Sequence, residues 1–429
     1  MKTLIRMLVP AIFLLCAAVT AQQPVQLSLA EAITLALRNN DQVITAQREV
    51  DAASARILQA GRIPNPEIEV SWGEAPSFFK IGEADEIDIS FRQEIEFPAR
   101  RSARIDVAEQ DRRIAELRLD RIRTIQTAAV RKAYYGILIT QSTIRSLDEQ
   151  SILVQDFFDL TGNKLSTGAG SYLDVIRTKV ELTRLGNEIL EAMRDEKDKS
   201  RTFNILLGQE PDTPFTLTDT LVRQPTPVNR DSVSNELPRR SSLLEASRTS
   251  VERQKRQLDL ARSGYLPDFT LSLSGQRRSE EPPFDANGFN GTTTRGVGLS
   301  LAVSVPLWFW QEPAGRIHEA AAHSSIAGVE YAATARRVRS SVGTALGMVE
   351  AAENQVNAFN RTLLADLGDI MSTAVDHYRN NRIDVMNLLD VYRTYRTALV
   401  EYNRALLNYW NSRANLDASA ELPLSTVND

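Results

Sequence analysis

The sequence predicts a mainly helical chain, built twice on one plan, with four strands of the kind used in a membrane β-barrel. Three observations carry this reading: two very long proline-free stretches, two places where the apolar period changes from helical to two, and residues that recur at a nearly constant offset. Each element follows in chain order.

Lys2 and Arg6 precede an uninterrupted apolar run from Met7 to Val19. As a helix that run is about 20 Å long, short of the roughly 30 Å of a bilayer core. With Val19-Thr20-Ala21 after it, the order is that of a cleavable secretory signal, residues 1–21, whose removal takes Lys2 and Arg6 and shifts the net charge from −5 to −7. Cys16, the single cysteine, lies inside that run, so the mature chain has neither a disulfide nor a thiolate metal site. A lipoprotein signal would end at the cysteine behind a small residue; Leu15 does not fit, and no lipid anchor is expected.

Ser28-Leu29-Ala30-Glu31 opens a short helix as a capping box, and its counterpart in the second half starts near Pro238. Strands follow. Ile68, Val70 and Trp72 alternate with polar residues, as do Ile87, Ile89, Phe91, Ile95 and Phe97. In the second half Phe269, Leu271 and Leu273 form one such series, and Val297, Leu299, Leu301, Val303 and Val305 the other. These are two β-hairpins, with loops at Gly73 to Asp85 and at Gln276 to Arg295. Their apolar faces suit lipid and their polar faces a lumen, with Ile87, Ile89, Phe91, Val297, Leu299, Leu301 and Val303 facing lipid. Trp308, Phe309 and Trp310, directly after a strand, suit an interfacial aromatic belt.

No proline occurs between Pro98 and Pro211 or between Pro313 and Pro423. Each of these stretches reads as a helical hairpin, reversing at Thr167-Gly168-Ala169-Gly170 and at Arg379-Asn380-Asn381-Arg382. Ile105, Ala108, Ala115, Leu119, Ile122, Ala129 and Ala133 mark a coiled-coil seam, on a first helix expected from Ala99 to about Leu160. Pro66-Glu67-Ile68 matches Pro267-Asp268-Phe269 at an offset of 201, Arg104-Ile105 matches Arg316-Ile317 at 212, and Gly168 matches Asn381 at 213. The expected organisation is therefore a first repeat at 22–208, a linker at 209–236, a second repeat at 237–422 and a tail at 423–429.

A mean hydropathy of −0.26 excludes a bundle of membrane helices, and 50 basic against 55 acidic residues leave no positive field for nucleic acid. Four strands cannot close a barrel, but three copies supply twelve, an even number that a membrane barrel allows. No catalytic constellation is present, so no enzyme activity or cofactor is expected. His318 and His323 do not share the i,i+4 spacing of a zinc pair and His377 is distant, so no structural metal site is expected either.

The chain resembles the TolC family of outer-membrane efflux and secretion channels over essentially all of its mature length. The resemblance rests on Leu29 to Ile33 with Ala36 to Asn40, on Pro64-Asn65-Pro66, on Gly168 to Val175, and on Tyr378 to Asp390 with Arg393-Thr394. It implies a homotrimer in the outer membrane of a Gram-negative bacterium, with a twelve-stranded β-barrel continued by a twelve-helix α-barrel in the periplasm. It also implies passive export, with a periplasmic adaptor and an inner-membrane pump of the proton-driven RND type as partners. Gln93 to Pro98 with Arg100, Arg101 and Arg104 is similar to the heavy-metal efflux branch, which usually has Gly-Lys-Arg where this chain has Ala99-Arg100-Arg101. Multidrug efflux and type I protein secretion are alternatives within the family, and a structural periplasmic coiled-coil protein is the alternative outside it.

Family members carry acidic rings just after the second helical turn, and the matching positions here are Asn387 and Asp390, with Asp384 and Asp174 as further entrance candidates. Arg382, beside the same turn, is a further gate candidate with two readings: a solvated side chain, which is favoured, or a partner for an acidic residue of a neighbouring helix.

Overall fold

The computed structural model describes residues 25–73, 84, 86–221, 241–280, 294–307, 311, 313–359 and 361–421. The signal segment with Cys16, the region around Pro238, both β-loop tips, the aromatic run 308–310 and the tail lie outside these residues. In order the elements are β1 (Val25–Leu27), α1 (Leu29–Asn39), α2 (Asp41–Ala60), β2 (Glu67–Trp72), β3 (Glu86–Ile95), α3 (Pro98–Ser166), α4 (Tyr172–Leu206) and β4 (Phe215–Leu217). There follow α5 (Ser242–Arg262) with a 3₁₀ turn at Ser263–Tyr265, β5 (Phe269–Glu280), β6 (Thr294–Ser304), α6 (Pro313–Ala358), α7 (Arg361–Arg379) and α8 (Val385–Ala420). Among the described residues no helix is long and apolar enough to cross a membrane.

The chain divides into two compact units that cut across the repeats, one of residues 1–45, 121–241 and 339–429, the other of residues 46–120 and 242–338. In the first, the Ser28 hydroxyl accepts the Glu31 amide at 3.3 Å while the Glu31 carboxylate accepts the Ser28 amide at 2.8 Å, closing the expected capping box. The expected single short helix is two. Asn40 interrupts it in an extended conformation, its Oδ1 accepting the Gln42 amide at 3.0 Å and its Nδ2 donating to the Leu206 carbonyl at 3.0 Å. Gly208, at φ 69°, closes the same corner, since a Cβ there would collide with the Asn39 carbonyl. The linker contributes β4, which pairs in parallel with β1, and Asp219, which accepts the Leu29 amide at 2.8 Å and the buried Tyr134 hydroxyl at 2.9 Å.

The first long helix runs 69 residues to Ser166, past the expected end near Leu160. Its later part packs antiparallel to α8. Tyr135 stacks on Trp410 at 3.8 Å, Asn403 donates to Thr143 at 3.1 Å, and buried Arg131 pairs with buried Asp417. The second long helix is broken between Ala358 and Arg361, just after Asn354 and Asn357, poor helix formers whose side chains compete for backbone hydrogen bonds.

The second unit is built on an antiparallel sheet in the order β2-β3-β5-β6. The first turns of α3 hold both sets of strand ends. Arg104 donates to the Ala60 carbonyl at 2.8 Å and to Glu96 at 2.9 Å, and Arg101 donates to the Gly61 carbonyl at 2.6 Å. Arg100 pairs with Asp268 and donates to the Leu266 carbonyl at 2.9 Å. Cations thus cap the carbonyl ends of α2 and of the 3₁₀ turn after α5.

Candidate functional site

The two helical turns form one site within the first unit. At the first, the Ala169 amide donates to the Lys164 carbonyl at 2.9 Å and the Gly168 amide to the Leu165 carbonyl at 3.1 Å, a Schellman turn. The second repeats the pattern at the equivalent residues, with the Arg382 amide on the His377 carbonyl at 2.8 Å and the Asn381 amide on the Tyr378 carbonyl at 3.2 Å. Ser171 and Asp384, which match at the same repeat offset, cap the helices that follow, accepting the amides of Leu173 at 3.2 Å and Asn387 at 2.8 Å.

A shared apolar core joins the hairpins. Phe157 of α3, Leu185 of α4, Tyr378 of α7 and Leu388 and Tyr392 of α8 are buried together, with Phe157 edge-on to Tyr392 at 6.3 Å. Burial pushes the Tyr392 phenol up to about 12. Lys164 bridges the turns: its ammonium donates to the Tyr378 carbonyl and to Asn381 Oδ1 at 2.6 Å, and lies 4.0 Å from the centre of the Tyr378 ring. Burial lowers its pKa below the ordinary lysine value. Farther from the turns, buried Glu181 of α4 accepts from Arg393 of α8 at 3.0 Å and lies 3.7 Å from Arg396, which also pairs with Glu188.

Sequence reasoning missed Lys164, Glu181, Arg393 and Arg396 as structural partners. A signal existed for Glu181, because Thr178, Glu181 and Leu185 share helical-seam spacing and are all buried.

Asp384, Asn387 and Asp390 recur every three residues on one exposed side of the start of α8. Asp384 is committed to its cap, while Asp390 forms no ion pair among the described residues. Asp174, half-buried, is partly neutralised by Arg177 at 3.7 Å. Among the described residues Arg382 makes no ion pair. Its amide completes the Schellman turn, its side chain is exposed, and Lys164 makes the bridge instead.

A second surface lies on the sheet of the other unit. Its register brings Ile68, Phe91, Leu273 and Leu301 into one row and Val70, Ile89, Gly275 and Leu299 into the next. On this face Val297, Leu299, Leu301 and Val303 are 81, 82, 71 and 62% exposed. The other face carries Glu69, Ser90, Ser274 and Ser300 in one row, with the ion pairs Arg92–Glu69 and Arg278–Glu86, both at 3.0 Å. An apolar face left in the open opposite one of charged, hydroxyl and small residues is the pattern of a wall between lipid and water. Trp308, Phe309 and Trp310 lie outside the described residues.

The model of the family described as outer membrane efflux protein matches residues 32–209 and 233–420, one block in each half. The chain belongs to that family. As an outer membrane efflux protein it is a passive channel of the outer membrane and not an enzyme. It is 23% identical over 395 residues to the cobalt-zinc-cadmium resistance protein CzcC of Cupriavidus metallidurans, covering 91% of this chain and 89% of that protein. Crystal structures of CusC match with a TM-score of 0.70 at 16% identity, over 91% of each chain. VceC of Vibrio cholerae matches with a TM-score of 0.71 at 15% identity, over 91% of this chain and 95% of that one. The outer-membrane channel OprN gives 0.71 at 16%, over 91% and 89%. The mainly helical fold with its four-stranded sheet is thus the fold of efflux channels.

Proposed function

We propose that three copies of this efflux protein form one conduit, their twelve strands closing a barrel in the outer membrane and their helical hairpins forming a periplasmic tunnel. The observation that carries this is the two-faced sheet, since one copy leaves its apolar rows exposed and its edge strands unclosed. A periplasmic adaptor and an inner-membrane pump of the RND type deliver the cargo. The channel itself contributes a passive path and an entrance. Asn387 and Asp390 line that entrance, and threefold repetition gathers three Asp390 carboxylates into a ring that favours cations.

The cargo class we propose is heavy-metal cations. CzcC is by its name a cobalt-zinc-cadmium resistance protein, and this chain matches it over nearly its whole length. The test is complementation of a strain that retains a metal pump and adaptor but lacks their channel. Recovery of tolerance to zinc, cobalt or cadmium supports the reading. Recovery of tolerance only to hydrophobic drugs in the matching drug-pump strain overturns the cargo assignment and leaves the channel in place.

A further inference from the structure

The sheet holds a joint between the repeats that also specifies how one copy meets the next. Within a copy, β3 of the first repeat pairs with β5 of the second, setting Ile95 opposite Phe269, Gln93 opposite Leu271 and Phe91 opposite Leu273. The outer edges of β2 and β6 have no strand partner among the described residues. Outer strands as exposed and apolar as these invite a further strand.

A chain built twice on one plan and closed in a ring makes the joint from first repeat to second within a copy and the joint from second to first between copies. The strand ends supply the correspondence. Phe97-Pro98 matches Val305-Pro306 at an offset of 208, and Pro66-Glu67-Ile68 matches Pro267-Asp268-Phe269 at 201. Carried over by these offsets, the β3–β5 register becomes a β6–β2 register.

We infer that β6 pairs antiparallel with β2 of a second copy, with Val303 opposite Ile68, Leu301 opposite Val70 and Leu299 opposite Trp72. This rests on the trimeric reading above and adds the register. Two further observations agree with it. Ser304, the last residue of β6, falls opposite Glu67, the first of β2, so every residue of β2 finds a partner and none faces Pro306, which has no amide to donate. The large apolar residues also meet only apolar ones, while Ser304, the small Ala302 and Ser300 meet Glu67, Glu69 and Ser71 on the opposite face, as a pleat of period two requires.

The test uses paired cysteines on the polar face in a Cys16→Ser background, which has no other cysteine. Ser71→Cys with Ser300→Cys, and Glu69→Cys with Ala302→Cys, place directly opposed residues about 4.5–5.5 Å apart, within disulfide reach. Ser71→Cys with Ala302→Cys, and Glu69→Cys with Ser300→Cys, are diagonal pairs at about 7–8 Å and out of reach. Under mild oxidation the first two variants should run as covalently linked dimers and trimers on non-reducing gels, at least tenfold more than the offset two. Native mass in detergent is measured alongside. A trimer that links through the offset pairs, or through none, overturns the register and leaves the assembly standing; a monomer overturns both.

Discussion

Gly168 and Asn381, the same position in the two repeats, hold the same left-handed backbone, at φ 74° and 58°, at the centres of two Schellman turns with matching hydrogen bonds. Glycine enters this region freely and asparagine is the residue that best tolerates it among those with a side chain. Gly168→Val should therefore lower stability by about 1–2 kcal/mol, the usual cost of a left-handed residue bearing a Cβ. Thermal unfolding in detergent measures it. An unchanged midpoint would mean that the turn relaxes without cost.

Lys164 ties the turns by charge and not by apolar packing, so Lys164→Met should keep the fold while loosening the contact between hairpins. The loss is about 1.5 kcal/mol, the low end for a hydrogen bond to a charged donor. In planar bilayers the variant should show higher conductance or more frequent openings than the parent. Identical traces, with the trimer intact, would remove Lys164 from any role in holding the entrance.

Glu181 is 3% exposed and meets two guanidinium groups of α8. Glu181→Leu leaves those cations facing an apolar neighbour, and breaking a buried pair in this way costs about 3–5 kcal/mol. Because Arg393 is half exposed and can turn to water, the lower end is expected. Chemical denaturation should show a reduced midpoint with an unchanged slope, and a loss below about 1 kcal/mol would class the pair with surface bridges.

The strands and turns were legible in the sequence because their causes are local. An alternation such as Val297 to Val303 is set by which side of one strand meets water, and a Schellman turn by a few consecutive residues. Asn40 was not legible, since what seats its side chain is the carbonyl of Leu206, far along the chain at the end of α4. Glu181 with Arg396 was hidden for the same reason, because helices of different repeats must first be aligned before the charges can be paired. Arg100, Arg101 and Arg104 were visible as a motif, but only the fold shows that their partners are carboxylates and the carbonyl ends of α2 and of the 3₁₀ turn after α5.

The faces of the sheet give a directional prediction. Leu299→Arg or Leu301→Arg places a cation on the exposed apolar face and should impair insertion by about 2–4 kcal/mol if the position lies at the bilayer midplane. Ser300→Arg, between them, points to the face that carries Glu69 and Arg92 and should be tolerated. Assembled trimer, quantified after membrane extraction, compares the three. Equal yields would remove the distinction between lipid and lumen faces.

Asp390 is the exposed carboxylate on the start of α8 that neither a cap nor an ion pair among the described residues holds, whereas its repeat-equivalent Arg177 balances Asp174 within the first hairpin. The net negative charge at the turns therefore concentrates on the second hairpin. In a threefold assembly, Asp390→Asn removes three charges from one ring and should reduce cation preference without altering the trimer, since no buried side chain changes. Asn387→Asp should do the reverse. A second ring one helical turn nearer the mouth adds three carboxylates, and closely spaced like charges are relieved by binding a divalent cation, so block by such ions should strengthen. Reversal potentials and divalent block in single-channel recordings decide both. If both variants match the parent, Asp390 is a solvated helix residue, and the selective constriction lies nearer Asp174 or Asp384.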